Sequence, residues 1–242
     1  MTNNYVVSFY AGTSGRLISN IIWSLICDTE YEYTLTEFNS THNFSPFATS
    51  VDLSNVSSDK LYSSPNIYDY FRFTQTPGLL CCHSYPEFGT LHKRYPDTKT
   101  IVISYTQNDV PEIVTNMMLK NGFESINKVE NISTRFIKDS YKLLYGIDYA
   151  DEPFSVFEQK QIIKMYEKHL GSHINKSPFI NPIVPTEFIP NVLILNYSDM
   201  CNDKDLVLSQ ASNFIGVPMK NNIVRLYDSY LEGRQRILNQ YL

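Results

Sequence analysis

Apolar residues along this chain alternate between short continuous runs and the spacing of one helix face. Residues 5–10 form a β-rich run that breaks at the small, Gly-containing segment 11–15. The apolar residues that follow at helical spacing are Leu17, Ile18, Ile21, Ile22 and Leu25. The pattern therefore predicts a strand, a tight loop and a helix at the start of the chain.

Two further apolar runs, 79–83 and 100–105, are continuous rather than alternating. Such runs are typical of strands buried on both faces of a parallel sheet. After the second run, Asn108-Asp109 and Pro111 are typical of a helix start, and the predicted helix ends at 121–122. Strand and helix thus alternate again.

The last hundred residues continue the alternation. The pattern predicts helices over 133–145 and 154–170, closed by Gly146 and Gly171, and a Pro-rich loop over 177–190. A buried strand is predicted over 191–197. It is followed by a helix over 203–215 that turns Leu206, Ala211 and Phe214 inward and ends at Gly216, and by a final helix from about residue 220.

Repeated strand-to-helix alternation predicts an α/β fold, a three-layer sandwich with a mostly parallel central sheet. We expect residues 1–242 to form a single domain, in which the weakly patterned segment 28–73 is an irregular insertion or lid with one candidate strand at 31–38. In open sheets of this kind, ligands bind at the carboxyl ends of the strands.

Composition narrows the possible functions. The formal net charge is −5, which argues against a protein that binds nucleic acid through bulk positive charge. No apolar stretch approaches the length of a membrane span, the four cysteines have no CxxC spacing, and the histidines show no metal-ligand pattern. We therefore expect a soluble, cytoplasmic protein with reduced thiols, no metal and no membrane partner.

The loop after the first strand is the best candidate for binding. A Gly-rich turn that leads into a helix presents free backbone N–H groups and the positive end of the helix dipole, a combination that suits phosphate. The candidates in this loop are Gly12, Thr13, Ser14, Gly15 and Arg16. The strict Walker pattern fails because Tyr10 stands where its first Gly would be and Arg16 where its Lys would be. The alternative is that the two glycines serve only a tight turn and close helix packing.

His83 is the candidate for proton transfer. It lies where the apolar run 79–83 opens into a loop, and a histidine there can act as a general base near neutral pH. The alternative is a half-buried histidine with a structural role.

Three segments in the same order resemble the sulfotransferase superfamily, whose members transfer a sulfuryl group from 3′-phosphoadenosine-5′-phosphosulfate (PAPS) to a hydroxyl or amine. Residues 6–15 are similar to that family's first strand and 5′-phosphosulfate loop. Residues 79–86, with 99–105 after them, resemble its KTHLP segment and the strand that leads to the 3′-phosphate site. Residues 192–200 and 211–218 resemble its YEDL strand and FLG-x-P helix end.

The resemblance implies a P-loop NTPase-like fold and a PAPS-dependent sulfotransferase, with His83 as the base and a small-molecule or glycan-like acceptor. The motifs also depart from the family. The loop Lys is replaced by Tyr10 or Thr13, depending on the alignment, and Arg16 is the nearest cation. The family's 3′-phosphate Arg and Ser are replaced by Tyr105 and about Ile113, with Thr115 the nearest hydroxyl.

The family's C-terminal RKG-x-x-G-x-x-K element is also missing, and Gly233, Arg234 and Arg236 are its loose substitute. The cofactor-binding candidates outside the loop are accordingly Tyr105, Thr115 and Arg234. Because a fold can persist after its chemistry has changed, two alternatives stay open: a non-catalytic binding or assembly protein, and a nucleotide-dependent phosphotransferase.

Overall fold

The computed structural model describes residues 4–10, 12–27, 79–82, 85–86, 88–94, 96–128, 130–150 and 153–242. The predicted lid at 28–73, with its candidate strand, lies outside the described residues. His83 does as well.

The sheet has four parallel strands in the order β2-β1-β3-β4. They are β1 (Tyr5–Phe9), β2 (Leu79–Cys82), β3 (Lys99–Ser104) and β4 (Val192–Asn196). In register, Val6 lies opposite Leu80 on one side and Thr100 on the other, and Ile101 lies opposite Leu193. The four strands predicted within the described residues are confirmed, with ends that move by no more than one residue.

Eight α-helices occur in the described part of the chain. They are α1 (Gly15–Cys27), α2 (Phe88–Arg94), α3 (Val110–Met117), α4 (Ile132–Tyr145), α5 (Val156–Ile174), α6 (Tyr197–Asn202), α7 (Lys204–Ile215) and α8 (Asn221–Tyr241). A π-turn, Met118–Gly122, extends α3, and a 3₁₀ turn, Thr186–Asn191, lies within the predicted Pro-rich loop.

Helices cover both faces of the sheet. Every residue of β1 is buried, as are five of the six residues of β3, which requires cover on each side. Helix α1 packs against α7 and α8, whereas α5 packs against α3 and α4. The predicted α/β fold with a parallel central sheet is therefore confirmed.

Both ends of α4 and α7 are capped, and the glycines that close them are the predicted ones. The Asn131 side chain accepts a hydrogen bond from the Thr134 N–H before α4, and Asp203 accepts one from Leu206 before α7. Gly146 and Gly216 close the two helices in the left-handed conformation, with φ of 72° and 82°.

Three helix predictions were wrong in detail. Helix α5 continues through Gly171 to Ile174, because Ile174 is fully buried and its packing outweighs the helix penalty of one glycine. Leu206 faces outward, and Val207 and Leu208 take its predicted place in the core. Asp109 is the N-cap residue of α3, but its carboxylate accepts hydrogen bonds from the Thr106 N–H and hydroxyl and none from the helix.

The short helices α2 and α6 were not predicted. Each is seven residues or fewer, which is too short to display an apolar period. Helix α6 begins directly after β4, where the Asn196 side chain accepts from the Ser198 N–H.

His92 on α2 is buried among aromatic rings. Its ring stacks on Phe188 at 4.9 Å between centroids, and neither ring nitrogen has a hydrogen-bond partner among the described residues. Burial lowers the pKa of His92. The nearby Pro96 carbonyl opposes part of this shift, although it does not form a hydrogen bond with the ring. The folded protein therefore resists protonation of this imidazole more than the unfolded chain does.

This arrangement predicts a pH-dependent stability. As the pH falls below the usual histidine pKa of about 6.5, the unfolded chain takes up a proton that the folded protein resists, so the free energy of unfolding decreases. We expect His92→Phe to remove that loss. Its free energy of unfolding, measured with urea, should therefore rise relative to that of the wild type as the pH falls from 7.5 to 5.5. The exposed His173, replaced by Gln, is the control. Parallel pH profiles for wild type and His92→Phe would contradict the assignment.

Candidate functional site at the carboxyl edge of the sheet

The loop between β1 and α1 is a tight turn. The Tyr10 carbonyl accepts hydrogen bonds from the Thr13 N–H at 3.1 Å and from the Thr13 hydroxyl at 2.7 Å. Gly12 has a φ of 90° and Ser14 a φ of 58°, so two of three consecutive residues adopt the left-handed conformation. The backbone N–H groups of Ser14 and Gly15 have no hydrogen-bond acceptor among the described residues.

Both glycines of the loop lie directly against other parts of the core. A Cβ on Gly12 would overlap the Ile113 carbonyl oxygen, and a Cβ on Gly15 would overlap the Phe9 ring. The predicted alternative, that these glycines allow a tight turn and close packing, is therefore part of their role. Close packing supplies no acceptor among the described residues for the N–H groups of Ser14 and Gly15, so it does not compete with anion binding.

Polar side chains from three strand ends and the last helix meet beside this loop. Ser14 follows β1, Glu112 lies in the first turn of α3, and Tyr197 directly follows β4. Helix α8 contributes Tyr230 and Arg234, four residues apart on one helix face. We call Ser14, Glu112, Asn116, Tyr197, Tyr230 and Arg234 the edge cluster.

An ion pair organises the edge cluster. The Arg234 guanidinium donates two hydrogen bonds to the Glu112 carboxylate, at 2.5 and 2.6 Å, and the two side chains are only 15% and 13% exposed. The Tyr197 hydroxyl donates to the same carboxylate at 2.8 Å and accepts from the Asn116 amide at 3.1 Å. Burial lowers the pKa of Arg234, but its hydrogen bonds with Glu112 more than offset that effect, so the guanidinium stays charged.

Tyr230 links the edge cluster to the loop. Its hydroxyl donates to Ser14 Oγ at 2.6 Å, and burial raises the pKa of this tyrosine well above its ordinary value. Nearby, burial raises the pKa of Cys201 to about 12, so this thiol is not a nucleophile at neutral pH.

The cofactor-binding residues predicted outside the loop have their polar groups engaged by protein. The Tyr105 hydroxyl donates to the Ile174 carbonyl at 3.1 Å, in a side chain that is 1% exposed. Thr115 is also buried and donates to the Pro111 carbonyl, and Arg234 is held by Glu112. Direct contact between these residues and a 3′-phosphate would require each to exchange a protein partner for the ligand, so that role stays a prediction.

Within the loop, the predicted residues divide into two groups. Gly12, Ser14 and Gly15 lie at the carboxyl edge of the sheet. Thr13 is fully buried, and its hydroxyl is used within the turn. Tyr10, one of the two positions where the family has Lys, packs its ring on Tyr105 and Phe179. Arg16 is the second residue of α1, and its side chain lies outside what the structure describes.

Sequence reasoning found the loop but missed most of the edge cluster. Glu112 was interpreted only as a first-turn acid of α3, although an acid that follows a buried strand lies at the edge where ligands bind. Tyr197 lies in the segment that resembles the YEDL strand, but nothing local indicated its contact with Glu112 or the contact of Tyr230 with Ser14. These contacts span 85 and 216 residues of sequence.

The chain is similar to two sulfotransferases of known structure. The first is a sulfotransferase from Alicyclobacillus acidocaldarius, with 10% identity, a TM-score of 0.38, and coverage of 98% of this chain and 94% of that one. The second is the sulfotransferase domain from the curacin biosynthetic pathway, with 14% identity, a TM-score of 0.36, and coverage of 93% and 78%. Both are of the class that the sequence motifs resemble. The superpositions are loose, so they carry no residue's role into this chain.

No protein-family model and no curated protein matches the sequence. None of the described helices is long and apolar enough to cross a membrane.

Proposed function

We propose that the chain is a sulfotransferase that binds PAPS at the carboxyl edge of the sheet. The observation that carries the proposal is the β1–α1 loop, which offers the N–H groups of Ser14 and Gly15 at the start of a thirteen-residue helix. Free N–H groups at a helix N-terminus stabilise an anion both by hydrogen bonds and through the helix dipole. The 5′-phosphosulfate is the anion that the sequence motifs indicate for this loop.

The reaction that we propose is in-line transfer. An acceptor hydroxyl attacks sulfur, its oxygen forms the new S–O bond, and the bond between sulfur and the phosphate oxygen breaks. His83 takes the acceptor's proton, and the negative charge that develops on the leaving phosphate is stabilised by the loop N–H groups. The role of His83 rests on the motif resemblance and on its position after β2.

The proposal also covers the acceptor, the cellular compartment and the residues near the 3′-phosphate. The acceptor is a small molecule or a glycan, the enzyme works in the cytoplasm without a metal, and nucleic acid is not its substrate. On this proposal the 3′-phosphate side of the nucleotide approaches Tyr105, Thr115 and Arg234, of which Arg234 belongs to the edge cluster. Since Glu112 neutralises Arg234 in this structure, we expect weaker nucleotide binding than a free arginine would give.

A thermal-shift comparison of four nucleotides tests this proposal. We expect PAPS and 3′,5′-adenosine bisphosphate to raise the unfolding temperature, because a ligand at 100 times its dissociation constant adds roughly 2.7 kcal/mol of stability. ATP and GTP, with or without Mg²⁺, should shift it less. If only ATP or GTP with Mg²⁺ stabilises the protein, phosphotransfer replaces sulfotransfer, and if none of the four does, the nucleotide-binding proposal is wrong.

A further inference from the structure

We propose that Tyr230 is a positioning residue for the β1–α1 loop: its hydroxyl holds Ser14 in the conformation in which the loop binds an anion. This inference rests on the proposed function for its ligand. It adds a residue from the far end of the chain, in α8, that neither the loop motif nor the family resemblance indicates.

The backbone of Ser14 calls for such support. At a φ of 58°, Ser14 is the only non-glycine residue at positive φ in the described part of the chain. A non-glycine residue in the left-handed region costs about 1 kcal/mol or more, and persists where its surroundings determine it. The Tyr230 hydroxyl, 2.6 Å from Ser14 Oγ, supplies a contact that fixes this residue from outside the loop.

Tyr230 is itself firmly held. Its side chain is 3% exposed, its ring packs edge-on to Tyr227, and it lies one helical turn before Arg234. Arg234 ties the same helix face to Glu112 in the first turn of α3. The next residue of α3, Ile113, places its carbonyl oxygen against Gly12. Both ends of the turn Gly12–Ser14 therefore rest on one scaffold, made of α3 and α8.

The direction of the hydrogen bond has a chemical consequence. Because Tyr230 donates, Ser14 Oγ is an acceptor in this contact, and its own hydrogen stays available for a further partner. Burial raises the pKa of Tyr230, so its hydroxyl keeps the hydrogen that this bond needs. An anion that accepts from the N–H groups of Ser14 and Gly15 would accept a third hydrogen bond from the Ser14 hydroxyl.

The test compares two tyrosines of the same helix. Tyr230→Phe removes the contact with Ser14, and Tyr227→Phe is the matched control, because Tyr227 is equally buried and its hydroxyl donates to the Met200 carbonyl away from the loop. We expect Tyr230→Phe to weaken the affinity for 3′,5′-adenosine bisphosphate about fivefold, equivalent to about 1 kcal/mol, as measured by calorimetry. Tyr227→Phe should bind like the wild type at a similar loss of stability.

A second readout does not depend on the ligand. Amide hydrogen exchange at Ser14 and Gly15 should become faster in Tyr230→Phe and stay unchanged in Tyr227→Phe. In a Ser14→Ala background, Tyr230→Phe should have no further effect on either measurement, because the two residues act through one hydrogen bond. If both Tyr variants alter the loop equally, or neither does, the positioning role is wrong. If the exchange result holds while the wild type binds no nucleotide, the proposed function fails and the positioning role stands.

Discussion

Replacing Arg234 with methionine lowers the free energy of unfolding by about 3–5 kcal/mol, because it leaves the Glu112 carboxylate mostly buried and without its charged partner. The Tyr197 hydroxyl still donates to Glu112, but one neutral donor does not compensate a buried charge. Chemical denaturation at pH 7 measures the loss.

Arg135→Met is the matched control. It breaks the ion pair with Glu130, whose side chains are 68% and 75% exposed, and a surface pair of this kind contributes about 1 kcal/mol or less. A second variant, Glu112→Met with Arg234→Met, removes both charges and should recover much of the stability that the single change loses. Equal losses for Arg234→Met and Arg135→Met would show that the edge cluster does not depend on this ion pair.

Gly15→Val is expected to destabilise the protein by about 3 kcal/mol, since its side chain must displace the buried Phe9 ring. The displaced ring lies at the end of β1, so the loop that follows would change as well. Urea unfolding gives the stability, and circular dichroism shows whether the variant still folds.

Gly89→Val is the control for this change. Gly89 also lies in a helix, but it is exposed and an added Cβ meets no atom within 4 Å, so its replacement should alter stability by about 0.5 kcal/mol or less. If Gly15→Val is as stable as Gly89→Val, the contact between α1 and the end of β1 is looser than the structure describes.

Local patterns predicted the frame of the molecule well. The continuous apolar runs indicated all four parallel strands, and Gly146 and Gly216 marked helix ends correctly, because each of these signals is carried by a few adjacent residues. Gly171 was misleading since the buried Ile174 beyond it keeps α5 helical. A single tertiary contact there outweighs a local preference.

The candidate site was only half predictable. The loop Gly12–Gly15 has a sequence signature, whereas the edge cluster joins residues from three strand ends and the last helix. Arg234 was interpreted as a phosphate ligand from its place in the chain, but no local pattern indicates that Glu112, 122 residues away, is its partner. The pairing follows only from the fold, because a parallel sheet brings the ends of its strands to one edge.

The most direct measurement is a crystal structure of the protein with 3′,5′-adenosine bisphosphate. The account predicts the 5′-phosphate within hydrogen-bond distance of the Ser14 and Gly15 N–H groups, with the Ser14 hydroxyl as a third donor and Tyr230 still in contact with it. A nucleotide bound away from the β1–α1 loop, or a loop occluded by a side chain in the presence of saturating nucleotide, would contradict it.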